Sequence, residues 1–297
     1  MSLVERALKK LQESRGNTPP PPAVPAQARN VAPPPPAAPA RVEPLPRSSR
    51  VVTIDYAALR AVELLPAETE ERRLKQEYRQ IKRPLIANAM GRGVPELENG
   101  HVILVSSALP GDGKTFTTLN LAFSMALEKD VSVLLVDADV AKRHVSRVMG
   151  IENEPGLLDV LRDESVDVES KIIDTDIPGL SLLSAGKNSA TATEHLASAR
   201  METIVKQLVA NDPNRIVLVD SPPLLLTSEA RALASVCGQI VLVVRAGATP
   251  QQAVFEALQM LGEGRSIGIV LNGGAEEHRR GYYGYYGEDG AADQKAP

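Results

Sequence analysis

The sequence predicts an α/β domain in which a mostly parallel sheet is covered by helices on both faces. Short runs of almost wholly apolar residues alternate with helical patterns, such as the face formed by Met201, Ile204, Val205 and Leu208. Strands that are buried on both faces show such unbroken apolar runs, and strand and helix alternation is typical of parallel sheets. The six predicted strands are His101–Val105, Val131–Val136, Leu180–Leu183, Ile216–Val219, Gln239–Val244 and Ile267–Val270.

Composition divides the 297 residues into four segments, because 12 of the 23 prolines fall between Thr18 and Arg47. A stretch so rich in proline and alanine buries too little surface to offset the entropy of ordering it. The predicted segments are a short amphipathic helix at 1–15, a disordered linker at 16–66, the folded domain at 67–276 and a flexible tail at 277–297.

The first element of the folded domain is a charged helix between Glu68 and Ala89, which we expect Pro84 to interrupt, since proline removes a helix hydrogen bond. Charged residues on such a helix are typical of a face exposed to solvent.

Overall composition excludes several classes of protein. The formal charge is −4, which is not the basic balance of a nucleic-acid-binding protein. The single cysteine, Cys237, allows neither an internal disulfide nor a zinc-thiolate cluster. No run of 18 apolar residues and no signal-peptide pattern occurs, so we expect a cytoplasmic protein.

A glycine-rich loop follows the strand HVILV and precedes a helical pattern. Gly111, Gly113, Lys114 and Thr115 stand in the order of a P-loop, although Ala108 replaces the usual leading glycine. In such a loop the backbone N–H groups surround a phosphate. The lysine contacts the phosphates, and the hydroxyl binds Mg²⁺. The predicted ATP-binding residues are Pro110, Gly111, Asp112, Gly113, Lys114, Thr115, Phe116 and Asn272.

Acidic residues follow two further strands. VLLVDADV places Asp137 and Asp139 after one apolar run, and IVLVDSPP places Asp220 after another. One aspartate at a strand end is more often a turn or helix cap. Three such aspartates beside a P-loop favour a Mg²⁺-nucleotide site, with Thr115 as a fourth metal ligand.

The C-terminal tail contains four of the six tyrosines, separated by glycines: Tyr282, Tyr283, Tyr285 and Tyr286. Glycine spacing leaves each ring exposed, which suits repeated phosphorylation. The alternatives are a disordered tail that associates through its aromatic rings, or rings that fold back on the domain.

Four segments of the sequence resemble motifs of the bacterial tyrosine kinases. In chain order these motifs are Walker A (SALPGDGKT), Walker A′ (VLLVDADV), Walker B (IVLVDSPPLL) and the tyrosine cluster (GYYGYYG). The form DADVAK is similar to that of autokinases from exosortase-type polysaccharide loci. The resemblance implies a P-loop NTPase fold of the MinD/ParA-like class and tyrosine autophosphorylation between subunits.

The resemblance also implies roles for individual residues. Lys114 and Thr115 would hold nucleotide and metal, while Asp137 would orient or deprotonate the tyrosine hydroxyl. Asp139 and Asp220 would complete the magnesium shell, and Asn272 would contact adenine.

The main rival is an ATPase switch of the MinD or ParA type. Those proteins carry a signature lysine five positions before the P-loop lysine, where this chain has Leu109. Relatives of the kinase type assemble through a Glu-x-x-Arg-x-x-Arg helix motif, whose best match here is Gln76, Arg79 and Lys82. Only Arg79 is retained, and a charged face exposed to solvent is the alternative for these residues. The relatives also depend on a membrane polysaccharide co-polymerase, so we expect such an activator, a tyrosine phosphatase and recruitment to the inner membrane face.

Overall fold

A computed structural model describes residues 50–92, 97–187, 189–262 and 265–274. Within these ranges the chain forms one eight-stranded sheet with the order β1-β4-β5-β3-β6-β2-β7-β8. The strands are β1 (Val51–Val52), β2 (Val102–Ser107), β3 (Ser132–Asp137), β4 (Ile173–Thr175), β5 (Leu180–Leu183), β6 (Arg215–Asp220), β7 (Gln239–Arg245) and β8 (Ser266–Asn272).

Helices cover both faces of this sheet. They are α1 (Tyr56–Ala61), α2 (Glu68–Ala89), α3 (Lys114–Ala126), α4 (His144–Val148), α5 (Leu157–Arg162), α6 (Ala192–Leu196), α7 (Ala199–Ala210), α8 (Ser228–Val236) and α9 (Gln251–Leu261). A short 3₁₀ turn spans Glu169–Lys171. No described helix is long and apolar enough to cross a bilayer.

Successive side chains of a strand point to opposite faces of the sheet, so the core forms two clusters, one on each face. In β2, Val102 and Leu104 contribute to one cluster, while Ile103 and Val105 contribute to the other. Residues from α5 to α9 complete the first cluster, and residues from α1 to α4 complete the second. Because both faces are buried, the strands must be apolar throughout, which explains the uninterrupted runs in the sequence.

The six predicted strands and the parallel character of the sheet are confirmed. β3, β6, β2, β7 and β8 pair in parallel, and β5 pairs in parallel with β3. β4 was not predicted and runs antiparallel to β5. With three residues it is too short for its apolar pattern to distinguish it from a loop.

The predicted start of the domain at residue 67 is wrong, because structure begins within the expected linker. β1 pairs with β4, and Val52, Leu59 and Leu64 are buried in the second core cluster. The backbone here is also tied down, since Asn120 donates to the Leu64 carbonyl at 3.0 Å. The apolar residues of this segment are too few to show a periodic pattern in the sequence. They are ordered by their contacts with the domain, including α3. Residues 1–15, the rest of the linker and the predicted tail lie outside the described residues.

The interruption expected at Pro84 does not occur, and α2 continues through it. Tyr78, Lys82, Leu85 and Ala89 are buried at intervals of three to four residues, which fixes one face of the helix against the domain. Pro84 lies on the exposed side. Packing of this face therefore outweighs the one hydrogen bond that proline removes.

Leu59→Ala should test whether α1 belongs to the folded domain. Leu59 is 1% exposed, and a buried leucine replaced by alanine costs about 2–5 kcal/mol of unfolding free energy. Val62→Ala is the control, because Val62 is 52% exposed and should change stability by less than about 0.5 kcal/mol. Urea denaturation measures both, and equal effects would contradict the packing of α1.

Candidate active site

The P-loop joins the end of β2 to the start of α3. Gly111 and Gly113 have φ values of +87° and +93°, a region that side chains other than glycine rarely adopt. At Gly113 a Cβ atom would also lie 1.9 Å from the Asn272 amide nitrogen. Both glycines are therefore required by the loop itself.

The loop is held from outside by residues at the ends of β7 and β8. The Asp112 carboxylate accepts hydrogen bonds from the Leu109 N–H at 3.1 Å and the Thr249 hydroxyl at 2.7 Å. Asn272 Nδ2 donates to the Asp112 carbonyl at 3.0 Å, and Arg245 Nη1 donates to the Gly111 carbonyl at 3.3 Å. Sequence reasoning missed Thr249 and Arg245. It assigned Asn272 to adenine, whereas the structure places its amide against the P-loop backbone.

Lys114 is buried at the start of α3 and faces Asp139. Its Nζ lies 3.9 Å from Asp139 Oδ2, and both side chains are less than a tenth exposed. Asp139 Oδ1 also accepts from the Lys142 N–H at 3.2 Å. Asp139 therefore acts partly as the turn cap that the sequence left open as an alternative.

Asp220 ends β6 and is fully buried. It accepts from the Thr115 hydroxyl at 3.0 Å and from the Thr118 hydroxyl at 2.9 Å. Burial, followed by the charge of Asp137, raises the pKa of Asp220 to about 7. Lys114 and the two threonines act in the opposite direction. Thr118 was not predicted, although it lies one helical turn after Lys114 on α3.

Asp137 ends β3 directly beside Asp220, since the two residues are register partners. Its Oδ2 accepts from both the Ser146 N–H and the Ser146 hydroxyl, each at 2.7 Å. Its Oδ1 is buried and has no hydrogen-bond partner among the described residues. Burial raises the pKa of Asp137 to about 6, and the bonds from Ser146 partly oppose this shift. Ser146 was not predicted, because nothing in its local sequence marks it.

The predicted metal shell is not a complete set of protein ligands. In the described ranges, no three His, Cys, Asp or Glu side chains converge on a point that could hold a metal ion. Mg²⁺ bound to a nucleotide, however, takes most of its oxygen ligands from phosphates and water. The Thr115 hydroxyl on Asp220 fits an ion of that kind, and the free buried oxygen of Asp137 stays available beside it.

The predicted oligomerisation motif is only partly available. Gln76 and Arg79 are exposed on α2. Lys82 is 3% exposed, pairs with Glu128 at 2.7 Å and donates to the Ser124 carbonyl. Its charge is thus satisfied within the chain, and the role of all three residues between subunits stays a prediction. Tyr282, Tyr283, Tyr285 and Tyr286 lie outside the described residues.

The parallel sheet, the glycine loop and the buried acids at the adjacent strand ends define a P-loop nucleoside-triphosphatase fold. The AAA domain family matches residues 100–259. Tyrosine-protein kinase YwqD of Bacillus subtilis is 30% identical over 224 residues, covering 74% of this chain and 90% of that protein. The chain belongs to the bacterial tyrosine-protein kinases and is an enzyme of that class.

Further similarity extends to kinases of greater length. Tyrosine-protein kinase etk of Escherichia coli K12 is 32% identical over 181 residues, covering 60% of this chain but 24% of that protein. The solved kinase domain of Escherichia coli tyrosine kinase ETK superposes with a TM-score of 0.59 and 26% identity. That alignment covers 75% of this chain and 80% of the solved domain.

Replacing Asp220 by Asn should stabilise the nucleotide-free protein at neutral pH. A raised pKa in the folded state means that folding binds a proton, so Asp220 destabilises the fold increasingly as pH rises from about 4, its unfolded pKa, to about 7. The advantage of Asp220→Asn should grow across this window and level off above it. Thermal unfolding without Mg²⁺ at several pH values measures the difference. An advantage that does not change with pH would contradict the raised pKa.

Proposed function

We propose that this kinase transfers the γ-phosphoryl group of ATP, with Mg²⁺, to the tyrosines of its own tail, and that it does so between subunits. The acceptors are Tyr282, Tyr283, Tyr285 and Tyr286. The observation that carries the proposal is the Asp137 carboxylate, which has one oxygen fixed by Ser146 and one buried oxygen left free beside the P-loop.

Positioning and charge supply most of the catalysis in phosphoryl transfer. Backbone N–H groups of the P-loop and the Lys114 ammonium would hold the β- and γ-phosphates. Thr115 and Asp220 would hold Mg²⁺, with Asp139 facing Lys114; the ion would neutralise phosphate charge. Asp139 would keep the lysine directed into the site while no nucleotide is bound, since their charged atoms lie 3.9 Å apart.

Asp137 is suited to accept the proton of the attacking tyrosine. A pKa of about 6 leaves its carboxylate ionised at neutral pH but more basic than an ordinary aspartate. The phenolic oxygen forms the new bond to phosphorus, the bond from phosphorus to the ADP oxygen breaks, and the phenolic proton passes to Asp137. Solvent then removes that proton.

An ATPase switch of the MinD or ParA type is disfavoured by the position of Leu109. This residue stands where those proteins carry their signature lysine. Its side chain packs against the first core cluster, and its N–H is bound to Asp112. An apolar residue held in this way offers no charge to a nucleotide in a facing subunit.

We extend the proposal to regulation of exopolysaccharide polymerisation and export, with a membrane polysaccharide co-polymerase as activator and a tyrosine phosphatase as antagonist. Its support is the resemblance of the motifs to kinases of such systems. Recruitment to the membrane would come from the activator. Assembly of subunits would use the exposed part of α2 around Gln76 and Arg79.

Lys114→Ala should reduce tyrosine phosphorylation of the purified protein by at least about 100-fold, because a charge that stabilises the transferring phosphoryl group is lost. Lys129→Ala is the matched control, since Lys129 is exposed beyond the end of α3. Phosphotyrosine mapping by mass spectrometry measures both. Normal labelling of Lys114→Ala would contradict the kinase mechanism.

Mixing two variants tests both the acceptor and the transfer between subunits. A tagged Lys114→Ala chain keeps its tail but lacks the phosphate lysine, whereas a chain with all four tail tyrosines changed to Phe keeps its active site. We expect the tagged chain to become labelled only in the mixture. Label confined to Tyr56 or Tyr78 would exclude the tail as acceptor, and no label in the mixture would exclude transfer between subunits.

A further inference from the structure

The two edges of the sheet differ in how open they are to another strand. β1 forms one edge and is two residues long, whereas β8 forms the other and is seven residues long. Within the described residues, β8 pairs with β7 and with no strand on its other side. Natural edge strands are usually protected by short length, charge or proline. β8, with the sequence SIGIVLN, has none of these protections.

One face of β8 carries exposed apolar side chains. Ile269 is 55% exposed and Leu271 is 66% exposed. Both alternate with Ile267, which packs against the first core cluster, so all three side chains lie on that face of the sheet. Val270 packs against the second cluster on the opposite face. The first core cluster therefore ends, at this edge, in apolar side chains that are open to solvent.

The outward-facing backbone groups of β8 belong to the same three residues. The Asn272 carbonyl accepts from the Ala246 N–H at 2.8 Å, so Asn272 directs its backbone groups toward β7. In a parallel strand the N–H and C=O of one residue point to the same side, and successive residues alternate between the two sides. Ile267, Ile269 and Leu271 therefore direct their N–H and C=O groups away from β7. These are the groups that an added strand would bind.

We propose that β8 pairs with β8 of a second copy of this chain, in antiparallel orientation around a two-fold axis at Ile269. In that register Ile269 lies opposite the same residue of the second copy, and Ile267 lies opposite Leu271. All three are outward-facing residues, so each pair exchanges both of its backbone hydrogen bonds. Every cross-strand neighbour on the exposed face is then apolar.

A second copy is the occupant that the sequence of β8 favours, because the strand is self-complementary in this register. On the opposite face Gly268 meets Val270, so each valine side chain lies beside a glycine. At the ends of the strand Ser266 meets Asn272, which pairs polar with polar. No charge of one strand meets a charge of the other, since SIGIVLN contains none. A two-fold contact requires such a match, because the same surface serves both copies.

Other registers of the two strands bring fewer apolar residues together. Moving the axis one residue toward the start of β8 places Leu271 opposite Arg265. Moving it one residue toward the end places Ile267 opposite Gly273. Each shift loses an apolar pair on the exposed face. Seven residues a side is well below the roughly 20–30 of a standard interface, so we expect a weak dimer that forms as concentration rises.

This contact is separate from the one that would transfer phosphate between subunits. β8 runs toward the P-loop, where Asn272 contacts Asp112. Antiparallel pairing places the P-loops of the two copies at opposite ends of the paired strands, about 20 Å apart along them. Each chain then leaves β8 at Gly274, at the end distant from the other copy's P-loop. The pairing therefore does not depend on the proposed function.

Sedimentation equilibrium of the full-length chain tests the pairing. Every chain carries Arg79→Glu, which changes the surface proposed for assembly on α2. We expect the mass to rise from monomer toward dimer between about 1 and 200 µM. Ile269→Lys should weaken association at least about 10-fold, because the axis places two like charges side by side. Val51→Lys is the matched control, since it adds the same charge to a 61% exposed valine of the other edge strand, and it should change association less than about 2-fold.

Mixing opposite charges tests the two-fold register. Ile269→Glu should also fail to pair with itself. An equimolar mixture of the Ile269→Lys and Ile269→Glu chains should recover association to within about 3-fold of the parent chain, because the axis places the two opposite charges together. Thermal unfolding of each dilute variant should match that of the parent, since position 269 is exposed, and this shows that loss of association is not loss of the fold.

Amide hydrogen exchange followed by NMR identifies the strand and the side of it that is covered. The N–H groups of Ile267, Ile269 and Leu271 should become more protected as concentration rises. Those of Gly268 and Val270 face β7, so they should be protected at every concentration.

Four results would overturn the proposal. They are a monomer that persists to about 200 µM, equal losses in Ile269→Lys and Val51→Lys, no association in the mixture, and outward amides that are already protected in the monomer. The last result would mean that another segment of the same chain covers this edge. Phosphorylation of the tail, or its absence, decides the proposed function and leaves this pairing untouched.

Discussion

Two carboxylates buried side by side at the ends of β3 and β6 are the constraint on which the site depends. Asp137 and Asp220 are register partners in a parallel sheet, so neither can move away without breaking strand pairing. Burial opposes the ionisation of both, and a neighbouring charge adds to this effect, from Asp139 at Asp137 and from Asp137 at Asp220. Hydrogen bonds from Ser146, Thr115 and Thr118 offset part of this cost, and they fix which oxygen atoms stay available for chemistry.

The same constraint explains how the P-loop is supported. A phosphate-binding loop beside buried acids must keep its shape while no nucleotide is present. Arg245 and Asn272, at the ends of β7 and β8, hold its backbone at Gly111 and Asp112, and Thr249 holds the Asp112 carboxylate. The site is thus built from the ends of four strands besides the P-loop: β3, β6, β7 and β8.

Site residues that directly follow an apolar strand in the chain could be predicted from the sequence. The P-loop, Asp137, Asp139 and Asp220 follow such strands directly, and the sheet then brings them together. Ser146 and Thr249 could not be found, because their contacts with Asp137 and Asp112 depend on how distant segments meet. The continuity of α2 at Pro84 and the burial of Lys82 were missed for one reason. Helical periodicity groups residues into faces, but it does not say which face packs against the domain. That Lys82 lies on the buried face and Pro84 on the exposed face follows only from the packing of α2.

The central claim is that Asp137, held by Ser146, accepts the tyrosine proton. The most direct test is kcat/KM against pH for phosphorylation of a tail peptide by the chain with its four tail tyrosines changed to Phe. The account predicts an acidic limb near pH 6 that moves upward in Ser146→Ala, because the hydrogen bond from the Ser146 hydroxyl to the ionised carboxylate is lost. Ser165→Ala, which removes an equivalent bond to the exposed Asp163, should leave the limb in place. A limb near pH 4, or one that Ser146→Ala does not move, would contradict the account.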